Sequence, residues 1–246
     1  MKIKDIYNFL DKIAPFSTAT EWDNTGLSVG SLNNDAEKVL LSLDVTNDVI
    51  KRAEEIGAQL VITHHPLIFD GVKVIEEGST VYNAVKSGIT FISSHTCLDK
   101  ACGGVNDCLA NALDIKNISN SPIDEFLKIG EIEEINTDDF ANRIKNALGG
   151  KVSYTDNGKL IKKVALCSGS GGDLIIAAAQ EGADALVTGE AKHHEMLASN
   201  ELGVALFTAG HYETENIVLE YLKKQLEGEF STLDVEIYSP SLIKYI

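Results

Sequence analysis

Leu60-Val61-Ile62-Thr63-His64-His65-Pro66 decides the fold class. Three apolar residues with no polar alternation predict a strand covered on both faces, the habit of a parallel sheet. Two imidazoles follow where that strand ends. Working outward, Val39-Leu40-Leu41-Ser42-Leu43 is a second apolar run, and Asp48 to Ile56 has helical periodicity. Val81 to Ser87 then reads as a helix and Ile89 to Ser93 as a strand. Strands alternating with helices predict βαβ units, right-handed crossovers and mostly parallel sheets flanked by helices.

The same order recurs. Val164 to Cys167, Ala185 to Thr188 and Val204 to Thr208 read as strands, with helices over Asp173 to Glu181 and ending over Met196 to Glu201. Asp48, Ala53, Gly57, Ala58 and Thr63 lie 125 positions before Asp173, Ala178, Gly182, Ala183 and Thr188. His95 and Asp99 lie 116 positions before His211 and Glu215. Gly-Ala before a strand is common in any βαβ unit, but the paired His-x-x-x-carboxylate spacing is not. We therefore expect an α/β protein of two related lobes, residues 1–123 and 124–246, each a mixed, mostly parallel sheet flanked by helices, with a metal site in the cleft between them. The C-terminal end is expected to pack back on the first lobe.

Ser119 to Asp139 reads as the junction, Asp139 to Leu148 as a helix stopped by Gly149-Gly150, and Ser153 to Lys163 as a hairpin turning at Asn157-Gly158. A C-terminal helix is expected from about Thr214 to Leu226, with Ile217, Tyr221 and Leu222 on one face.

The 246 residues carry 21 Lys and Arg against 37 Asp and Glu, a net charge of −16. Hydrophobic residues make up 44%, so the chain can bury a core and does not read as disordered. The acidic surface repels phosphate backbones and disfavours nucleic acid. Met1 to Pro15 reads as an amphipathic helix rather than a leader, since charges break up its apolar positions Ile3, Ile6, Phe9, Leu10 and Ile13. No stretch is long and apolar enough to cross a membrane. Cys97, Cys102, Cys108 and Cys167 form no CxxC pair and read as free thiols of a reducing cytoplasm, with a weak alternative of a thiolate metal site at Cys97 and Cys102.

The six histidines fall at His64-His65, His95, His193-His194 and His211, each at or soon after a predicted strand end, the edge where open α/β sheets bind ligands. Neighbours on an extended chain point opposite ways, so His64 and His65 are expected to reach two ions, or one ion and a substrate. The four-residue spacing of His95 with Asp99, and of His211 with Glu215, puts each pair on one helical face. Imidazoles with carboxylates suit two divalent ions, whether zinc, iron, manganese or cobalt. Any one histidine alone would read as a satisfied polar group at a strand end; the recurrence across both lobes is what points to metal.

Around this set, Glu21-Trp22-Asp23-Asn24-Thr25-Gly26-Leu27 holds the sole tryptophan. Trp22 is either a platform for a flat base, with Asp23 and Asn24 reading its edge, or a buried core anchor. Ser168-Gly169-Ser170-Gly171-Gly172-Asp173 is either an anion cradle or a tight turn with an Asp cap. Glu190, Lys192, His193 and His194 either line a pocket, with acid–base and phosphate-contacting roles, or form an exposed first helical turn.

Trp22 to Leu27, Thr63 to Leu67, His95-Thr96-Cys97-Leu98-Asp99, Gly189 to His194 and Ala209 to Glu215, in that order, resemble the dinuclear-metal family known as GTP cyclohydrolase 1 type 2, or Nif-three-like. The resemblance spans nearly the whole chain and fits the short form, which lacks a domain inserted between the lobes. It implies His64, Asp99 and Glu215 on one ion and His65, His211 and Glu215 on the other. It places His95 nearby as ligand or base. It implies a homohexameric ring and hydrolytic opening of the imidazole ring of GTP with release of formate. In that reaction His95, or Glu190 with His193, would shuttle protons, while Trp22, Asp23, Asn24, Lys192 and His194 would meet the substrate. The other readings are a two-metal phosphoesterase and a non-enzymatic dimetal scaffold or regulatory ring.

Overall fold

The computed structural model describes residues 1–244. Its strands in chain order are β1 (Gly26–Val29), β2 (Lys38–Ser42), β3 (Leu60–Thr63), β4 (Thr90–Ser93), β5 (Lys116–Asn120), β6 (Lys128–Ile135), β7 (Ser153–Tyr154), β8 (Ile161–Cys167), β9 (Ala185–Thr188), β10 (Ala205–Thr208) and β11 (Asp234–Ile237). They form two mixed sheets, β1-β4-β3-β2-β11 and β5-β6-β8-β9-β10-β7, flanked by helices. Two compact units result: Met1–Cys102 with Val218–Pro240, and Gly103–Ile217 with the described residues from Ser241.

In the first unit β11, β2, β3 and β4 run parallel and β1 antiparallel. The helix Asn47–Ile56 starts at Thr46, whose hydroxyl accepts the Val49 N–H at 3.2 Å. It stops at Gly57, which takes the left-handed conformation (φ 69°), and Ala58 N–H then returns to the Ala53 carbonyl at 2.8 Å. This is the Schellman closure, and it delivers the chain into β3.

The second unit repeats that closure. Gly182 (φ 70°) follows the helix Ile175–Gln180, and Ala183 N–H reaches the Ala178 carbonyl at 3.0 Å before β9. The 125-residue equivalence therefore rests on a shared backbone device. It stops at the strand ends. Thr63 pairs with Ser93, but Thr188 pairs with Thr208, so the register equates His95 with Gly210. Each of those two residues caps the next helix, Thr96–Lys100 or His211–Glu215. The 116-residue pairing of His95 with His211 is thus one residue out of structural register.

Three expectations are corrected. The helix Val105–Ala112 and strand β5, assigned by the 123/124 division to the first lobe, lie in the second unit, where Leu109, Leu113 and Ile115 join its core. Ser153 to Lys163 is not a hairpin: β7 pairs antiparallel with β10, while β8 pairs with β6 and β9. The C-terminal helix is two pieces, His211–Glu215 and Val218–Glu229, with the change of unit falling between Ile217 and Val218.

The second unit's parallel strands β8, β9 and β10 form the middle of its sheet. Phe140 packs edge-on against Phe207 at 5.1 Å, both fully buried among Leu109, Ile144 and Val187. Phe140→Ala is expected to cost about 3–5 kcal/mol, read as a lower urea midpoint. A midpoint within error of the wild type would contradict this packing.

Candidate metal centre

The parallel strands of the first unit end together, and their ends carry the polar side chains. His64 and His65 leave β3 at a bend, their N–H groups on the Ser42 and Leu43 carbonyls at 3.4 and 2.9 Å. Because the bend breaks the strand's alternation, the two rings converge, with centroids 5.0 Å apart. His95 leaves β4 and comes within 5.1 and 5.4 Å of them. One ring nitrogen from each of the three lies within 4.8 Å of the others.

Each ring has its Nδ1 tied to an oxygen. His64 Nδ1 donates to the Ser94 carbonyl at 3.0 Å, His65 Nδ1 to Asp44 Oδ1 at 2.7 Å, and His95 Nδ1 to Asp23 Oδ1 at 3.0 Å. That fixes the tautomer and points Nε2 outward as the donor for a metal, the usual support of a metal-binding histidine. His64 Nε2 already faces Asp99 Oδ1 at 3.4 Å. Helical spacing paired Asp99 with His95. Instead His95 sits at the helix cap, outside the first turn, and its ring turns to Asp23.

Asp23 is fully buried through its side chain and also accepts the Thr96 N–H at 3.0 Å and hydroxyl at 2.6 Å. Burial alone would raise this carboxyl, but the hydrogen bonds from His95 and Thr96 outweigh it and hold the group below the usual carboxylate range. Asp23 therefore positions His95, and both its carboxylate oxygens are engaged by His95 and Thr96. Asn24 is also committed, its amide donating to the Ile68 carbonyl at 2.7 Å. Trp22 is no core anchor: it is 62% exposed.

The second unit assembles a smaller set by the same logic. His211 Nε2 faces Glu215 Oε2 at 3.1 Å across one helical turn, as the spacing predicted. Its Nδ1 donates to Glu190 Oε2 at 3.2 Å, so Glu190 positions His211. Glu215 is buried beneath the glycine-rich loop. A side chain at Gly169 (φ 60°) would collide with Glu215 Oε1 and stand 3.3 Å from His211 Nε2. One at Gly189 would lie 2.5 Å from the Gly169 carbonyl and 2.8 Å from the His211 backbone.

Three of that loop's N–H groups are turned inward. Ser168 N–H donates to Asn106 Oδ1 at 2.7 Å, Gly169 N–H to Thr214 Oγ1 at 3.1 Å, and Gly171 N–H to Thr188 Oγ1 at 2.9 Å. Its glycines make room for the His211–Glu215 pair. Beside it opens a cavity of about 580 Å³ lined by Ser170, Asp173, Glu190, Lys192, Glu195 and Thr208. Three carboxylates against one lysine do not favour a phosphate.

Lys192 and His194 are about three-quarters exposed and stand 3.8 and 3.9 Å from Glu195, which caps the helix His193–Leu202 through the Lys192 N–H at 2.6 Å. His193 is exposed on the same turn. Among the described residues, none of the three joins a group of metal-binding side chains, and neither does a cysteine. Sequence reasoning missed Asp44, Ser94 and Phe69. Asp44 was within reach, since it follows β2 at the same sheet edge as His64.

A family model described as Duf34/NIF3 (NGG1p interacting factor 3) matches residues 1–244. The chain belongs to the DUF34/NIF3 family. Among curated relatives, a GTP cyclohydrolase 1 type 2 homolog of Clostridium perfringens is 35% identical over 93% of this chain and 94% of its own length. A GTP cyclohydrolase 1 type 2 of Helicobacter pylori is 30% identical over 87% and 86%. Among solved structures, the Staphylococcus aureus hypothetical protein SA1388 superposes with TM-score 0.93 at 30% identity, covering 100% of this chain and 99% of that one. Reduced HcgD from Methanocaldococcus jannaschii gives 0.84 at 30% identity, covering 97% of each. Staphylococcus aureus relatives need 352 aligned positions to cover 96% of this chain, so they carry a segment with no counterpart here.

Burial sorts the thiols. It pushes Cys108 up to about 11, aided by Asp107, and raises Cys97. Cys167 is buried and Cys102 exposed. Since the thiolate is the nucleophile, one fast-reacting thiol, Cys102, is expected per native chain at pH 7.5 with a disulfide reagent. Two or more fast thiols, or a Cys102→Ser variant still reacting fast, would contradict this.

Proposed function

We propose that this chain is a divalent-metal-dependent hydrolase of a small heteroaromatic substrate, with the GTP ring-opening named for its relatives as the leading reaction. The observation that carries the reading is the Nδ1 anchoring of His64, His65, His95 and His211, which makes each Nε2 a prepared donor beside acidic oxygens. We assign His64, His65, Asp99, His211 and Glu215 as ligands of two ions, with Glu215 shared, as the sequence resemblance implies. The donor set fits: hard carboxylate oxygens with imidazole suit zinc, iron, manganese or cobalt. Bound there, such ions supply Lewis acidity and acidify water.

The protein's own groups do the rest. His95, held by the ionised Asp23, is the residue to accept and return a proton at Nε2, the division of labour of a His–Asp pair. Glu190 and Asp44 orient ligands. His193 stands exposed on the first turn of its helix, and the proton-transfer role is assigned to His95 in its place. Asp173, Glu190 and Glu195 against the single Lys192 in the cavity beside the glycine loop favour recognition of a ring over recognition of phosphate, which weighs against the phosphoesterase reading. A homohexameric ring is the assembly we propose from the resemblance, and the free cysteines fit the cytoplasm. Among the described residues, no helix is long and apolar enough to cross a membrane.

Metal content and formate release from GTP, measured on protein purified without chelator, test the reading. About two metals per wild-type chain are expected, with loss of metal and formate together in Glu215→Ala. Two metals without formate would overturn the reaction and leave the non-enzymatic scaffold; no metal would overturn the site. For His95→Gln, metal is expected to stay while turnover falls roughly 10²- to 10⁴-fold. Loss of metal in that variant would make His95 a ligand.

A further inference from the structure

Two exposed aromatic rings stand against His95. The Trp22 and His95 ring centroids are 5.8 Å apart with planes at 72°; those of Phe69 and His95 are 5.5 Å apart at 89°. Trp22 is 62% exposed and Phe69 47%. Rings left in water cost hydrophobic free energy and are ordinarily turned inward.

Both are instead mounted on a fixed backbone. The Trp22 turn is closed by Asp23 N–H on the Thr20 carbonyl at 3.0 Å. It is pinned to the helix after His95 by Thr20 N–H on Thr96 Oγ1 at 3.1 Å and by the Asp23 carboxylate. Asn24 holds the Ile68 carbonyl at 2.7 Å, clamping the Phe69 loop to the Trp22 segment. Five polar contacts therefore hold two apolar rings in the open beside a histidine whose own ring is locked.

We propose that Trp22 and Phe69 form the specificity platform of this site, on which a flat heteroaromatic ring of the substrate stacks next to His95. The proposal deepens the metal-hydrolase reading and rests on it for the occupant. Stacking on pinned aromatic faces is tolerant of ring identity but demands a ring. With a net charge of −16, the ring and not a phosphate chain carries recognition. A base or nucleoside then binds about as well as its triphosphate.

Trp22 is the sole tryptophan, so its fluorescence reports on the platform directly. Metal-loaded protein is titrated with guanosine, GTP and ribose 5-phosphate, exciting at the red edge of the indole band. Saturable quenching by guanosine and GTP, with dissociation constants within about tenfold, and none by ribose 5-phosphate are expected. Phe69→Ala should weaken guanosine by roughly 5- to 100-fold while metal content stays at the wild-type value. Calorimetry should give the same for Trp22→Ala, where the signal is lost.

No saturable quenching by guanosine in protein that holds its metal would overturn the platform and leave the metal reading intact. Quenching by guanosine in protein that binds no metal would support the platform and sink that reading. Emission that shifts on dilution and ignores guanosine would mark the rings as a chain-to-chain contact, and so overturn the proposal.

Discussion

An imidazole can give a metal only one of its two nitrogens, and it does so well only when the other is held. In this chain the holding groups are the Ser94 carbonyl, Asp44, Asp23 and Glu190, each bonded to the Nδ1 of a different histidine. Much of the architecture around the site serves those bonds. β2, β3 and β4 end side by side, so Asp44, His64 and Ser94 meet at one edge. The turn at Thr20 to Asp23 has its carboxylate fully buried, which is sustainable only because three hydrogen bonds converge on it.

In the second unit the same requirement is met with fewer parts. One helical turn sets His211 against Glu215, and the glycine loop folds tightly over both because its side chains are missing. The close approach ties the N–H groups of Ser168, Gly169 and Gly171 to internal oxygens. A stretch whose composition reads either as an anion cradle or as a tight turn thus also serves as a packing device for a carboxylate. Glycine content by itself does not reveal that packing; the hydrogen-bond partners Asn106, Thr188 and Thr214 do, and they come from distant parts of the sequence.

What the sequence made legible follows the range of the forces involved. The strand ends at Thr63 and Thr188, the Gly57 and Gly182 closures and the His211–Glu215 pair are local, and each was readable from spacing. Long-range pairings were not. His95 looked like the partner of Asp99, but a cap residue points away from the helix face, and Asp23 captured it over 72 positions. Asn157-Gly158 looked like a hairpin turn, yet β7 found its partner in β10, far along the chain. Phe69 carried no signal at all; only its pinned position beside His95 gives it meaning. The repeat was visible but slipped by one residue, because strand register, which sequence offsets do not encode, sets the equivalence.

The central claim is that histidine Nε2 atoms, oriented through Nδ1, ligate a pair of divalent ions. Anomalous diffraction at the edge of the metal found in the purified protein tests it most directly. The account predicts two peaks per chain, with Nε2 of His64, His65 and His211 in bonding contact and their Nδ1 atoms still on Ser94, Asp44 and Glu190. A single peak elsewhere, or ligation through Nδ1 with those contacts broken, would contradict it.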